Sequence, residues 1–313
     1  MEPQTILIII LIITFVSYVF DQLLDYINLK TQRDDIPKDI ESFYEREKYV
    51  KSLAYHRDRT KFSFLTSAFG FLLSVLMLML GGFGWLDGLL RPHIENDILL
   101  ALVFFGILML ASDILTIPFQ CYSTFVIEEK YGFNKTTVKT FILDKLKGYV
   151  LSAIIGGGLL SLMMYLIQII GPSFWIWFSV IAALFILFVN MFYTSLILPL
   201  FNKLTPLPDG ELKNAIESFS RKVSFPLDNI FVIDGSKRSK KANAFFSGMG
   251  KKKKIVLYDT LISNHTTDEL VAVLAHEVGH YKKKHIIWGY VLSVLQIIFT
   301  LFVLSLMIFN ENL

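Results

Sequence analysis

Six apolar runs of about 20 residues alternate with polar connections along this chain of 313 residues. A helix needs about 20 mostly apolar residues to cross the hydrocarbon core of a bilayer. We therefore predict six membrane-spanning helices and an all-α polytopic membrane fold that carries a small α+β domain. The runs are Ile6–Leu24, Phe62–Leu80, Ile98–Ile117, Tyr149–Ile170, Phe174–Leu200 and Ile286–Phe309.

The first apolar run has the position of a signal peptide, but its surroundings do not fit one. No basic residue precedes it, and no small-residue cleavage site lies before Asp21, so we interpret it as a retained helix. The composition agrees with a membrane protein, because only 18% of the residues are charged, against roughly 25% in soluble proteins. The single cysteine, Cys121, excludes an intramolecular disulfide framework.

Basic residues are confined to alternate connections between the predicted spans. Lys30–Lys61, Pro118–Gly148 and Phe201–His285 hold 29 of the 30 Lys and Arg residues, and Arg91 is the other one. Connections on the cytosolic side of a membrane carry such an excess of positive charge. We therefore predict that these three segments face the cytosol and that the N-terminus faces the lumen or the exterior.

The polar segments predict three regions: membrane helices over residues 1–200, a cytosolic domain over 201–285, and a sixth membrane helix over 286–313. Lys30–Lys61 is interpreted as a long exposed helix, and Leu204–Gly210 as a linker rich in proline and glycine. The run Lys251–Lys254 is interpreted as a solvated turn beside the membrane, so no nucleic-acid partner is expected. Within the domain we predict a helix over Glu211–Val223 and strands over Asn229–Asp234, Ala242–Ser247 and Lys254–Asp259.

A metal-binding pattern lies in a helix near the end of this domain. Thr266 and Glu269 fit a capping box that starts the helix. His276 and His280 are four residues apart, so their imidazoles project from one face and can bind one ion. Glu277, next to the first ligand, can take a proton from water and deliver it to the leaving amine. This is the H-E-x-x-H arrangement of zinc peptidases, and it predicts one Zn²⁺, ligands His276 and His280, and Glu277 as the catalytic base.

A third protein ligand, which catalytic zinc normally has, is not evident in these 313 residues. A metzincin pattern would require glycine at 283 and histidine at 286, where the chain has Lys283 and Ile286. We therefore interpret His285 as an interfacial residue and His265 as a loop residue before the helix cap. Glu311 lies beyond the sixth predicted span.

The predicted zinc helix leads directly into the sixth span, and Lys282–Lys284 lie between them. Such a metal lies close to the membrane plane, which favours membrane-attached peptide substrates. A non-catalytic metal-binding scaffold or transporter remains an alternative, in which hydrolysis plays no part. Asp113, inside the third span, is either a functional residue or a hydrogen-bond partner of a neighbouring helix, and Asn190 in the fifth span has the same two interpretations.

Together, several tracts resemble the type I CAAX prenyl proteases, a family of membrane zinc endopeptidases. The similarity covers nearly the whole chain, and the tracts occur in the order of the family. They are Glu129–Lys135, Ser236–Ser239, Asn243–Gly248, Lys254–Leu261 and His276–His280.

The resemblance implies seven membrane helices that enclose a water-filled chamber, with the zinc site inside it on the cytosolic side. It also implies a third ligand from a glutamate beyond the seventh helix. We therefore expect this chain to lack the C-terminal part of the family, to retain zinc weakly and to have little activity by itself.

The resemblance further implies that Asn243, Ala244 and Phe245 bind substrate, with the strand pairing with an extended peptide by β-augmentation. The family often has a histidine just before this tract, where this chain has Lys241-Ala242. In a eukaryote the expected substrates are prenylated CAAX tails at the endoplasmic reticulum. In a bacterium quality control in the cytoplasmic membrane is expected, and an HtpX-type protease is a close alternative. The expected partners are a membrane-attached substrate and the lipid bilayer, and the protein is expected to be a monomer.

Overall fold

Apolar helices dominate the computed structural model, which describes residues 3–39, 41–225, 227–247 and 253–310. Two compact units divide the chain, Met1–Asn134 with Asn310–Leu313, and Lys135–Phe309. The predicted boundaries at residues 200 and 285 follow changes in polarity, and they stay a prediction. Five helical stretches among the described residues are long and apolar enough to cross a membrane: Pro3–Thr31, Arg46–Met79, Asp97–Glu128, Val138–Phe201 and His285–Ile308.

Five apolar stretches hold the six predicted spans, because the fourth stretch contains two of them. This stretch consists of α5 (Val138–Ile170), a 3-10 turn at Gly171–Ser173, α6 (Phe174–Phe192), a π-helical turn at Tyr193–Ile197 and α7 (Leu198–Phe201).

The two predicted spans in this stretch are the arms of a helical hairpin. Lys147 Nζ donates a hydrogen bond to the carbonyl oxygen of Leu200 at 2.7 Å, although a straight helix would separate these residues by about 80 Å. Gly171, at the turn between the arms, has a positive φ of +63°, which glycine adopts without the steric cost that a side chain would bring.

The first unit contains α1 (Pro3–Thr31), α2 (Arg46–Met79), α3 (Gly82–Leu90) and α4 (Asp97–Tyr122), and a π-helical turn, Ser123–Glu128, extends α4. Aromatic contacts join the helices: Tyr18 of α1 stacks on Phe71 of α2 with ring centroids 4.3 Å apart. The prediction of one exposed helix over Lys30–Lys61 is wrong in its first half, because α1 ends at Thr31 and α2 begins at Arg46. Pro37 lies between them, and proline disfavours the helical conformation in the residue before it.

The second unit carries a four-stranded sheet with the order β1-β2-β4-β3. Its strands are β1 (Leu204–Pro206), β2 (Leu227–Ile233), β3 (Ala244–Ser247) and β4 (Lys253–Tyr258). Strands β2 and β4 pair in parallel, whereas β1 with β2 and β3 with β4 pair antiparallel. The three predicted strands are confirmed within a few residues. The linker prediction for Leu204–Gly210 missed β1, an edge strand in which Pro206 is tolerated. Of the turn predicted at Lys251–Lys254, residues 251 and 252 lie outside the described residues, and residues 253 and 254 belong to β4.

Two helices pack on this sheet, α8 (Glu211–Lys222) and α10 (Thr267–Lys282), and the short α9 (Asp259–Asn264) joins β4 to α10. Ile216 of α8, Leu257 of β4 and Leu274 of α10 belong to one core and are at most 1% exposed. Burying a side chain of this size stabilises the fold by about 1.5–3 kcal/mol. The sheet and its core therefore fix the position of α10.

The last described helix, α11 (His285–Ile308), lies antiparallel to α6. Tyr290 donates a hydrogen bond to the Ala183 carbonyl at 3.1 Å, and Ser305 donates one to the Pro172 carbonyl at 2.7 Å. The prediction that the zinc helix leads directly into this span is wrong. Lys284, with φ of 57° and ψ of 30°, interrupts the helix between α10 and α11.

Candidate metal centre and substrate strand

The helix α10 begins at the predicted capping box. The backbone N–H of Thr266 donates to Glu269 Oε2 at 2.8 Å, and the Glu269 N–H donates to Thr266 Oγ1 at 3.4 Å. These hydrogen bonds lower the pKa of Glu269, the bond from the Thr266 backbone having the larger effect. The box therefore holds a carboxylate at the helix N-terminus, where negative charge is favoured.

The two predicted ligands lie on the face of α10 opposite its buried stripe. Leu270, Leu274 and Val278 are buried, and they recur every four residues. His276 is about 200° around the helix axis from both Leu274 and Val278, and His276 and His280 are exposed. The core therefore orients the helix so that the histidines face outward.

The imidazole rings of His276 and His280 have the geometry of two ligands to one ion. Their Nε2 atoms are 3.1 Å apart. An ion at the 2.0–2.1 Å typical of zinc–imidazole bonds would see these atoms at an angle of roughly 100°. That angle is close to tetrahedral, so the donor set fits a metal. Glu277, the adjacent residue on the helix, is half-buried.

No third ligand joins them among the described residues, which contain no group of three or more His, Cys, Asp or Glu side chains able to hold a metal ion. His285 lies nearby, with its Nδ1 atom 2.8 Å from Nδ1 of His280. This contact involves the nitrogen of His280 that faces away from His276. His285 therefore lies next to the predicted ligand His280, a contact that its interpretation as an interfacial residue did not include. The glutamate implied beyond residue 313 stays a prediction.

The predicted substrate residues lie on and beside β3, at the end of the sheet. In the part of the chain that the structure describes, β3 pairs with β4 alone, so its other edge is open. The Asn243 carbonyl accepts from the Tyr258 N–H at 3.0 Å, and antiparallel pairing alternates. The backbone groups of Ala244 and Phe246 therefore point to the open edge. The side chain of Asn243 lies at this edge too, because its Oδ1 accepts from the Ala244 N–H at 2.9 Å.

Aromatic contacts place this strand beside the histidine helix. Phe225 packs against Phe246 of β3 with ring centroids 4.9 Å apart. The same ring packs edge-on against Tyr281 of α10 at 5.1 Å. The open strand edge and the histidine pair thus belong to one part of the second unit.

The tract Ser236–Ser239, expected in the substrate-strand region, makes structural contacts. Ser236 donates its backbone N–H to Asp259 Oδ1 at 2.9 Å, and its hydroxyl donates to the other carboxylate oxygen. Arg238 binds Asp144 of α5, and that hydrogen bond raises the pKa of the Arg238 guanidinium. Sequence reasoning missed these roles, since both partners are distant in the chain.

The tract Glu129–Lys135 has an equally definite role in the first unit. Tyr131 donates to Asp58 of α2 at 2.7 Å, and Lys130 donates to the same oxygen at 2.6 Å. The hydrogen bond to Asp58 raises the pKa of Lys130, and burial raises the pKa of Tyr131. Gly132, with φ of +76°, allows the turn that brings these side chains back to α2. The tract therefore fastens the end of the third membrane stretch to α2.

The polar residues predicted inside the spans have local partners. Gln120 donates to Asp113 Oδ1 at 3.1 Å along the same helix, and Asn190 donates to the Ile186 carbonyl at 2.8 Å. Cys121 is free and half-buried. The contact with Ile186 favours a structural role for Asn190.

Apolar membrane helices, together with a helix that carries two histidines spaced as metal ligands and an adjacent glutamate, define the class, an integral-membrane metallopeptidase. Residues 25–203 match the CAAX prenyl protease N-terminal family, described as five membrane helices, and residues 206–313 match peptidase family M48. The chain belongs to family M48, in the group with the CAAX prenyl protease N-terminal region.

Curated relatives and a solved structure agree with this membership. The chain is 40% identical to CAAX prenyl protease 1 homolog of Arabidopsis thaliana over 88% of this chain and 67% of the relative. It is 38% identical to CAAX prenyl protease 1 of Saccharomyces cerevisiae over 87% of this chain and 63% of the relative. The crystal structure of S. mikatae Ste24p matches with a TM-score of 0.87 and 35% identity, over 98% of this chain and 72% of that one. The chain therefore spans about two thirds of the length of these relatives.

Proposed function

We propose that the protein is a zinc-dependent endopeptidase that cleaves the C-terminal tails of prenylated CAAX proteins. The observation that carries this proposal is the 3.1 Å separation of the His276 and His280 Nε2 atoms on a helix that lies beside an open strand edge. The names of the curated relatives support the substrate class. Family membership favours this substrate over the quality-control alternative.

In the proposed reaction, His276 and His280 bind the zinc ion, and Glu277 acts as the general base and then as the general acid. When bound, zinc supplies Lewis acidity to a peptide carbonyl and makes a water molecule more acidic. The carboxylate of Glu277 would accept a proton from the water that attacks the carbonyl, and would then donate this proton to the amine that leaves as the peptide bond breaks. The third protein ligand is proposed to be the glutamate that the resemblance implies.

The substrate is proposed to bind as an added strand on β3. The outward carbonyl of Ala244 and the outward N–H and carbonyl of Phe246 supply hydrogen-bonding positions for an extended peptide. The side-chain amide of Asn243 lies at the same edge, where it can hold the peptide backbone. Three basic segments are proposed to face the cytosol, because 29 of the 30 Lys and Arg residues lie in them. This orientation gives the site access to cytosolic tails at the endoplasmic reticulum of a eukaryote.

The test is cleavage of a farnesylated C-terminal peptide in detergent by purified protein that includes the proposed third zinc ligand, with Glu277→Gln as the diagnostic variant. Loss of the general base should lower kcat by about 10²–10⁴-fold while zinc content stays unchanged. Glu217→Gln, an exchange of the same type in α8, is the control and should cleave at the rate of the unaltered protein. Equal cleavage by Glu277→Gln would contradict the proposal and favour a non-catalytic metal-binding protein.

A further inference from the structure

An irregular helix junction brings a third histidine to the proposed metal site. In a continuous helix, residues five apart are separated by about 140° around the axis, so the side chains of His280 and His285 would diverge. The structure instead ends α10 at Lys282 and begins α11 at His285. Across this break the rings of His280 and His285 meet edge to face, with centroids 4.8 Å apart and planes at 77°.

The backbone at this junction has a conformation that its residue type disfavours. Lys284 has φ of 57° and is one of two non-glycine residues with positive φ among those described. Side chains with a Cβ atom rarely occupy this region, and such outliers concentrate at functional sites. The consequence of this conformation is the return of His285 towards His280.

The contact between the two rings uses the nitrogen of His280 that the metal would not use. Nδ1 of His280 is 2.8 Å from Nδ1 of His285, whereas Nε2 of His280 is 3.1 Å from Nε2 of His276. A histidine that binds a metal through one nitrogen commonly donates a hydrogen bond from the other, and this bond fixes the tautomer and the ring orientation. His285 is in the place of that acceptor.

We propose that His285 is a positioning residue that accepts a hydrogen bond from Nδ1 of His280 and so directs Nε2 towards the ion. The inference rests on the proposed function, since it takes His280 to be a ligand. His285 contacts the far side of the His280 ring from His276, so its role is to orient a ligand without binding the metal itself. The left-handed conformation of Lys284 places His285 beside His280.

The experiment measures Zn²⁺ affinity of the purified whole protein by competition with a chelator, together with the absorption spectrum of its Co²⁺ form. Loss of an outer hydrogen-bond partner typically weakens metal binding by about 10–100-fold, so His285→Ala should weaken binding to that extent. His285→Gln, which retains an acceptor, should recover part of the loss. His265→Ala is the matched control, and it should bind as the unaltered protein does.

A second pair of variants tests the junction without changing the histidine. Lys284→Gly favours the left-handed conformation and should keep Zn²⁺ affinity. Lys284→Val disfavours that conformation and should lower the affinity as His285→Ala does.

Three results would overturn the proposal. Unchanged affinity in His285→Ala would show that the contact does not position the ligand. A Co²⁺ spectrum that reports a lost nitrogen ligand, without rescue by glutamine, would make His285 a ligand. If His276→Ala and His280→Ala bind Zn²⁺ as tightly as the unaltered protein, the metal site itself is wrong, and the role of His285 is wrong with it. Cleavage that persists in Glu277→Gln would contradict only the proposed catalysis. The role of His285 would stand, because the Zn²⁺ affinity and the Co²⁺ spectrum report metal binding and not cleavage.

Discussion

Arg238 holds the carboxylate of Asp144 with two parallel hydrogen bonds, from Nε to Oδ2 at 2.7 Å and from Nη2 to Oδ1 at 2.8 Å. The partners are 94 residues apart in the chain, one in the sheet-containing domain and the other in membrane helix α5. Nη2 also donates to the Phe201 carbonyl at 2.9 Å, and the Arg238 carbonyl accepts from the Lys135 N–H at 2.9 Å. One side chain therefore joins both arms of the helical hairpin to the domain.

Replacing Asp144 by Asn should destabilise the protein by about 1–3 kcal/mol, because the guanidinium loses a charged, bidentate acceptor in a half-buried place. Arg238→Lys should also destabilise it, since an ammonium group cannot reproduce the planar pair of donors. Thermal unfolding in detergent measures both changes. Asp209→Asn removes the exposed ion pair with Lys213 and is the control, with little expected change. A similar effect of Asp144→Asn and Asp209→Asn would contradict this role of Arg238.

Gly235→Ala should destabilise the sheet-containing domain, because an added Cβ atom would overlap the ring of Tyr258. Overpacking of this kind typically costs about 1–3 kcal/mol. Gly148→Ala in α5 is the matched control, since no atom lies within 4 Å of its added Cβ. In a helix this second exchange should stabilise slightly. Opposite signs in thermal unfolding would support the close packing at Gly235, and equal effects would contradict it.

The capping box of α10 predicts a dependence of stability on pH. Hydrogen bonds from Thr266 lower the pKa of Glu269 in the folded protein below its ordinary value of 4.5. Its carboxylate therefore adds stability that is complete above about pH 4.5 and is lost as the pH falls through the lower, folded value. The difference in stability between the unaltered protein and Glu269→Gln should shrink as the pH falls below 4.5. A difference that is independent of pH would contradict this assignment.

The hydroxyl group of Thr266 is the uncharged partner in the same capping box, and substitutions at Thr266 test its contribution. Thr266→Ala should lower stability by about 0.5–2 kcal/mol, and Thr266→Ser, which keeps the hydroxyl, should have a small effect. Thermal unfolding at pH 7 measures both.

The proposed substrate strand predicts a loss of activity without a loss of metal. Asn243→Ala should lower kcat/KM for the farnesylated peptide by roughly tenfold, since a single hydrogen bond contributes about 0.5–1.5 kcal/mol. Zn²⁺ content should remain unchanged. Asn229→Ala, at an exposed position on β2, is the control. Unaltered kinetics in Asn243→Ala would exclude a role for this side chain in holding the substrate.

The features that sequence predicted correctly are local ones. The box formed by Thr266 and Glu269, and the four-residue spacing of His276 and His280, follow from helix geometry, because both depend on neighbours within one or two turns. The apolar runs predicted the membrane helices for the same reason. The core strands were predicted from composition, although their order in the sheet was not.

The features that sequence missed depend on backbone conformations or on distant partners. Lysine gives no signal for the left-handed conformation of Lys284, so the contact between His280 and His285 was not foreseen. The pair of Arg238 and Asp144 is formed by the fold as a whole. Leu204–Gly210 was interpreted as a linker because of its prolines. An edge strand such as β1 can, however, accommodate a proline.

The break at Lys284 also has a mechanical consequence. The sheet core anchors α10 through Leu270 and Leu274, whereas hydrogen bonds to the α5–α6 hairpin region anchor α11. Transmembrane helices tilt to match the local thickness of the bilayer, and a rigid helix through both elements would carry that tilt into the histidine pair. With the break between them, a change in the tilt of α11 leaves the spacing of His276 and His280 on α10 unchanged, and it reaches the site through His285, the first residue of α11.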